Sequence, residues 1–417
     1  MSRWQSDRPT ARPPVRLSLP VLFLPVAARL RPSLPILFLL LAGCAATTRP
    51  ETSVEAIIAS AESARRAERT TVDSIVARLA RRAVARGDRT LDLLYLSGGG
   101  QNGAYGAGFL RGWHARPDSS FPRFDLVTGI STGALQAPFA LIGTQAALDS
   151  LATLYRGAAA KGLAPSVDLF FWLRKTGGVV DTEGYEHALR GIFDTALAAR
   201  LRAEFRQDRQ VAIGTTDFDL GIGRTWDMAA ELGATVRGPD RVRKLLLAAT
   251  AIPGVFPTQL IDGRVQSDGG VVSNILPVLG LDEYRRLAAR LRQAGVTEPV
   301  TVRVWVVMNL WTHARPLVTE PTDRGKISQR AALLMLWTHQ ATELEQLATL
   351  AAAVTTGLPG LRMELRVTVP PASLATEAPP DDKLIDEEWM RRLEQLGRDR
   401  ALGASPWDPI PSAFERP

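Results

Sequence analysis

The sequence predicts an α/β fold with a mainly parallel central sheet covered by helices on both faces, and three observations carry that expectation. Short apolar runs bounded by turn residues alternate with stretches of helical periodicity along most of the chain. The first run of the main body ends in a glycine cluster that opens straight into a helical stretch. The 417 residues are 46% hydrophobic and 22% charged, which supplies a sizeable core and excludes collagen-like, coiled-coil and wholly disordered chains.

Residues 1–43 read as a leader. Six arginines and one acid are followed by the apolar run LPILFLLLAG, which meets Cys44, the only cysteine of the chain. Ten apolar residues are too few to span a bilayer but suit the core of a secretory signal. The segment resembles a bacterial lipoprotein signal peptide, in which the cysteine is acylated and becomes the mature N-terminus. That resemblance implies a membrane anchor through Cys44, held stably by two or more acyl chains, since one chain binds only marginally. Ala45 stands where an Asp would imply the inner membrane, so the expected location is the outer membrane, facing the periplasm.

Residues 44–88 follow as a tether, AATTRPET, and an amphipathic helical segment. Val54, Ile57, Ile58, Val72, Ile75, Val76, Leu79 and Val84 recur at helical spacing among arginines and acids, predicting one or two helices docked on, or spacing, the main domain. Their cationic face is expected to be solvated, with contact to anionic lipid as the alternative.

The main domain is placed at residues 89–402, with 403–417 as a C-terminal tail. Strands are predicted at 91–96, 125–130, 210–215, 265–267, 300–308 and 361–369. Helices are predicted at 103–116, 132–145, 239–251, 282–293, 328–353 and 386–401. The Pro- and acid-rich stretch 370–382 reads as a surface loop.

Charge and histidine content narrow the chemistry. The net charge of +7 places +5 in the leader and only +2 in the rest, so no basic stripe supports nucleic-acid binding. His114, His187, His313 and His339 lack metal-ligand spacing, and one cysteine provides no thiolate cluster. No metal and no cofactor is expected.

Three motifs carry the chemistry. The first, Gly98-Gly99-Gly100-Gln101-Asn102-Gly103, follows a strand and opens a helix. Consecutive glycines turn the backbone so that several N–H groups address one point, at a helix N-terminus that favours negative charge. Such a nest suits an oxyanion or a phosphate. It also fits the dinucleotide fingerprint, but that reading wants an acid at the end of the second strand, where Thr128-Gly129-Ile130-Ser131 stand instead. The second motif, Gly129-Ile130-Ser131-Thr132-Gly133, is a GxSxG between strand and helix, a tight turn that thrusts the serine out at the sheet edge. The third, Ser267-Asp268-Gly269-Gly270, has the bland reading of a turn pair. Its weight comes from the nearby run ATAIPGVFP at 249–257 and from Asn274 and Pro277 just beyond it.

Taken in order, SGGGQNGAYGAGFL, GISTG, ATAIPGVFP and SDGG…N resemble the patatin-like phospholipases over roughly residues 91–280. The resemblance implies a three-layer α/β/α fold and a Ser–Asp dyad with Ser131 as nucleophile and Asp268 as its base. Gly98, Gly99, Gly100 and Gly103 would form the oxyanion hole, with Gly99 and Gly100 as the closest donors. Gly129, Gly133, Gly269 and Gly270 support the two side-chain-bearing motifs. The family has Arg or Lys where Asn102 stands, which leaves a neutral or singly acylated ester open as the substrate. The expected partner is an acyl lipid.

Two other readings stay open. The order Ser131…Asp268…His313 or His339 satisfies the rule for a Ser–His–Asp carboxylesterase. Against it, only one strand–helix unit precedes the elbow, and no histidine precedes the glycine nest. A non-catalytic lipid-binding lipoprotein is the second alternative. Two apolar stretches could face lipid or belong to the core: Leu169-Phe170-Phe171-Trp172-Leu173, and the helical segment bearing Leu333, Leu334, Leu336, Trp337 and Leu344.

Overall fold

The computed structural model describes residues 49, 51–157, 166–167, 177–233, 237–312, 314, 316–379 and 383–410. The leader, Cys44, the run 169–173 and His313 lie outside the described residues, as do the side chains of Leu333, Leu336 and Trp337. What is described belongs to a single unit, Ala46–Pro417.

Helix α1 (Val54–Arg86) leads into strand β1 (Thr90–Leu96), a 3-10 turn at Gly100–Asn102 and α2 (Gly103–His114). Then come β2 (Leu126–Ile130), α3 (Thr132–Ile142), α4 (Gln145–Arg156), the two-residue strands β3 (Ser166–Val167) and β4 (Val180–Asp181), α5 (Glu183–Ile192) and α6 (Thr195–Phe205). A hairpin of β5 (Gln210–Asp217) and β6 (Ile222–Asp227) is followed by α7 (Met228–Gly233), α8 (Gly238–Ala249) and a second hairpin, β7 (Gln259–Ile261) and β8 (Arg264–Asp268). The chain closes with α9 (Leu281–Gln293), β9 (Val300–Val307), α10 (Arg324–Gly357), β10 (Leu361–Thr368) and α11 (Glu387–Leu402).

The sheet order is β10-β9-β1-β2-β5-β8-β7, with β6 also paired to β5. From β10 to β5 every pairing is parallel, whereas the pairings β5–β6, β5–β8 and β7–β8 are antiparallel. Alternation along β1 sorts its side chains to two cores. Leu94 and Leu96 pack with residues of α2, α3 and α11, while Leu91, Leu93 and Tyr95 pack with those of α1, α9 and α10. This is the three-layer α/β/α arrangement, mostly parallel.

One expectation is corrected, and two others gain detail. The segment 132–145 is not one helix: Gly143, at φ +63°, ends α3, and the Thr144 hydroxyl caps α4 by accepting from Ala147 N–H. The strand around 265–267, to which the sequence assigned no direction, returns antiparallel through a turn at Asp262 (φ +52°) and Gly263 (φ +77°). Helix α1 is a single helix whose arginines divide: Arg65, Arg66, Arg69 and Arg81 are exposed, whereas Arg78, Arg82 and Arg86 are turned to the domain. Arg82 and Arg86 each bond Asp125 at 2.7 Å, Arg86 also reaches Asp92 at 2.9 Å, and Arg78 pairs with Asp227. Its apolar face, from Ile75 to Ala83, is buried in the second core. Among the described residues, no helix is long and apolar enough to cross a membrane.

Candidate active site

Sheet register brings the second and third motifs to one level. Ile130 of β2 pairs with Gly214 of β5, so Ser131, one residue on, stands level with Thr215. Thr215 in turn pairs with Asp268, the last residue of β8. Because β8 runs antiparallel, its C-terminal end dips into the same row that the parallel strands reach from the other direction. Only β5 separates the two chains there, and Gly214 carries no side chain into the gap.

Ser131 sits at φ +52°, ψ −123°, a conformation that β-carbon-bearing residues rarely adopt and that costs of order 1–3 kcal/mol. The strain follows from the abrupt strand-to-helix change, and Gly129 and Gly133 make the turn possible. A side chain on Gly129 would collide with the Gly133 carbonyl, and one on Gly133 would reach within 2.8 Å of the Ser97 carbonyl oxygen. Ser131 is 7% exposed and lies at the N-terminus of α3, where partial positive charge accumulates.

Asp268 is 5% exposed and held from three sides. Its N–H donates to the Ala251 carbonyl at 3.0 Å, and its own carbonyl accepts from Thr216 Oγ1 at 2.9 Å. Ser267 Oγ donates to the same Ala251 carbonyl at 2.6 Å. The ATAIPGVFP run is therefore the clamp that fixes the aspartate. Within the carboxyl group, Oδ1 accepts from Gly270 N–H at 2.8 Å, while Oδ2 is buried without a regular hydrogen bond. Burial pushes this carboxyl up to about 6, and the neighbouring Ser131 hydroxyl and Gly270 N–H offset part of that rise. Gly269 must be small, since a β-carbon there would meet the Gly214 carbonyl and Ile130 at 2.8 Å.

The glycine loop lies over Ser131. A β-carbon on Gly98 would come 3.1 Å from Ser131 Cβ. Gly98 N–H donates to the Asn274 carbonyl at 3.1 Å, and Gly103 N–H is spent on Gly100 and Gln101 carbonyls within the 3-10 turn. Gly99 and Gly100 have no such partner among the described residues, which leaves their N–H groups as the donors available to a ligand. Asn102 accepts from Trp389 Nε1 at 2.7 Å, so its side chain serves to seat α11.

Sequence reasoning missed a second layer beneath this loop. Asn309, fully buried just past β9, donates from Nδ2 to the Ser97 carbonyl at 2.6 Å and accepts at Oδ1 from Gly106 N–H at 3.2 Å. Its own N–H donates to Ser97 Oγ at 2.7 Å, and Ser97 Oγ donates to the Gly98 carbonyl at 2.8 Å. Gln136 on α3 bonds the Gly103 carbonyl at 2.7 Å, and Thr132 pairs with Tyr155 beside it. The elbow helix and the glycine loop are thus one polar network. Its signal was a lone polar residue at the C-terminal end of a parallel strand, where ligand sites of α/β sheets gather.

Among the described residues no histidine bonds Ser131 or Asp268. His114 pairs with Gln145 at 3.0 Å on the outer face of α2, and His187 and His339 are exposed. Leu344 is buried in the core of α10, and Leu334 is 37% exposed.

Residues 94–282 match the family model described as patatin-like phospholipase. No curated protein matches the chain. Among solved structures it is similar to VipD from Legionella pneumophila, at 11% identity and a TM-score of 0.33, over 75% of this chain and 66% of that one.

Proposed function

We propose that the chain, whose residues 94–282 match the patatin-like phospholipase family model, is a serine lipid acyl hydrolase working through a Ser131–Asp268 dyad. Ser131 Oγ attacks the acyl carbonyl carbon as Asp268 takes its proton. The carbonyl oxygen becomes an oxyanion held by the Gly99 and Gly100 N–H groups. As the tetrahedral centre collapses, the alcohol leaves with the proton from Asp268, and the acyl group stays on Ser131. Water then attacks the acyl-enzyme, again giving its proton to Asp268; as this second tetrahedral centre collapses, Asp268 returns the proton to the departing Ser131 Oγ, and the fatty acid is released.

One observation supports this reading above the others: the pairings Ile130–Gly214 and Thr215–Asp268 bring a strained serine and a buried carboxyl to one row of the sheet. A carboxylate is a weak base in water, and burial strengthens it. Backbone donors fixed by a buried network need no reorganisation as charge develops, and each is worth about 2.7–4 kcal/mol in the barrier. With Asn102 neutral and engaged by Trp389, no cation stands at that position to anchor a substrate phosphate. This favours neutral or singly acylated ester lipids. A panel of diacyl phospholipid, lysophospholipid, triacylglycerol and short p-nitrophenyl esters tests it. Fatty-acid release is expected to be fastest from a neutral or singly acylated lipid; turnover confined to short water-soluble esters would reduce the protein to a general carboxylesterase.

The leader extends the proposal to location. We place the protein as an outer-membrane lipoprotein anchored through acylated Cys44, with residues 1–43 removed. Cys44→Ala is expected to abolish incorporation of a labelled fatty acid and release the protein from the membrane fraction; unchanged labelling would refute the anchor.

A further inference from the structure

We infer that the edge of the sheet bearing Ser131 is also the face the protein lays on a lipid bilayer, through Phe218, Ile222, Val271 and Val272, with Val54 and Ile58 beside them. The inference rests on the Cys44 anchor reading and adds an orientation to it.

Strand direction places the first four. β5 runs parallel to β2 and so leaves the sheet at the edge where Ser131 stands. Phe218 comes three residues after Thr215, the partner of Asp268, and the turn it opens ends at Ile222, the first residue of β6. Val271 and Val272 follow Asp268 by three and four residues. Hairpin and turn adjoin, since a β-carbon on Gly223 would lie 3.7 Å from Val272 Cγ1. All four are between 37% and 44% exposed. Helix α1 adds the other two. Glu68 accepts from Thr225 N–H at 3.0 Å and Arg78 pairs with Asp227, so helix and β6 run the same way, both leaving the hairpin tip behind. The first turns of α1 therefore lie at the tip end, where Val54 and Ile58 are exposed. Single exposed apolar residues need no explanation, but six gathered at the edge that holds the nucleophile mark an interaction surface.

What covers that surface follows from where the chain enters. Arg49 Nη1 bonds Asp219 Oδ1 at 2.6 Å, one residue from Phe218, and Asp219 Oδ2 accepts from Val265 N–H at 2.9 Å. The entry point is thus tied to the hairpin. Cys44 stands five residues earlier, and five residues span at most about 18 Å. Acyl chains on Cys44 therefore keep this edge, and not the far end of the strands, within reach of the bilayer. One chain alone binds marginally, and an apolar surface brought to the lipid by a short tether supplies a second signal. Residues 51–70 hold three arginines and four glutamates, so apolar contact rather than charge drives the docking. An ester lipid then reaches Ser131 from the bilayer without crossing bulk water.

The test uses the full chain with acylated Cys44, in vesicles of phosphatidylethanolamine and phosphatidylglycerol bearing brominated acyl chains. With Cys44 blocked, Phe218→Cys, Val272→Cys and Thr297→Cys each offer one thiol for a fluorescent label. Thr297 is exposed just ahead of β9, at the opposite edge. Labels at 218 and 272 should lose about half their fluorescence or more, as expected about 5–10 Å into the interface, and the label at 297 less than about a tenth. The pattern should persist at high salt, which screens charge and not apolar contact. Phe218→Asp/Val272→Asp should slow hydrolysis of a monoacyl ester lipid in vesicles by about tenfold or more, with kcat/KM on p-nitrophenyl butyrate within about twofold of wild type. The labelling replaces exposed side chains one at a time and needs no activity, so it decides the matter if the double variant folds poorly. Equal quenching at all three sites, or an equal loss on both substrates, overturns the inference. Unquenched labels with a doubled mass would assign the surface to a second copy, which overturns it too. If Cys44 takes up no fatty acid, the anchor reading fails and this orientation with it; if it does and the labels at 218 and 272 stay bright, only the orientation fails.

Discussion

Ser131→Ala should reduce ester hydrolysis by at least about 10³-fold while leaving the fold intact. The alanine removes the only atom able to form the acyl-enzyme, and what survives is the rate conferred by substrate binding and the glycine-loop donors. The loss should appear in kcat and kcat/KM together, since the hydroxyl acts on the reacting carbon and not on the lipid tail. A companion variant gives the result structural content. Ser131 holds φ +52° at a cost that glycine avoids, so Ser131→Gly should be as inactive as the alanine variant but more stable than it by roughly 1–3 kcal/mol. Calorimetric unfolding of the two proteins checks the difference. Equal stability would mean that the elbow is not the strained turn described above.

Asp268→Asn has the second large effect, and it divides activity from stability. With the base gone, kcat should fall by about 10²–10⁴-fold, the range for a positioned proton acceptor. In the wild type, kcat/KM should rise with pH through about 6 as one proton leaves the free enzyme, and this acid limb should vanish from the residual activity of the variant. Stability moves the other way. The folded pKa lies above the unfolded value near 3.9, so the contribution of this group is fully present below the unfolded value and is lost as pH rises through about 6. Ionised Asp268 therefore costs the wild type up to about 3 kcal/mol at pH 8, two pKa units' worth, and the neutral amide does not bear that cost. The variant should unfold at higher temperature than the wild type at pH 8, and the gap should close below pH 4. A variant no more stable at pH 8 would show that the carboxyl is not desolvated in the folded chain.

How much of this was legible beforehand follows from what is local and what is not. The six strands named from the sequence lie on hydrophobic runs, and the elbow and glycine loop are signalled by glycines that the backbone turns need. Some signals were present but unread. Gly143-Thr144 is a helix stop beside a helix cap, and Asp262-Gly263 is a stronger hairpin signal than Asp268-Gly269, the pair that bears the chemistry. Other features were beyond local reading. Arg78 and Arg82 of α1 looked solvated because their partners Asp227 and Asp125 lie far along the chain. Asn309 and Gln136 meet only because two strands and a helix converge. Gly99 and Gly100 read as the closest donors, but what removes Gly98 and Gly103 from the set, the Asn274 carbonyl and the 3-10 turn that occupy their N–H groups, is not local to the motif.

The most direct test is the site and pH dependence of covalent labelling by a fluorophosphonate, with the modified peptide identified by mass spectrometry. A single adduct on Ser131 is predicted, its rate rising with one ionisation near pH 6 in the wild type and flat with pH in Asp268→Asn. An adduct on another serine, or a wild-type ionisation that survives unchanged in Asp268→Asn, would contradict the pairing of this hydroxyl with this carboxylate.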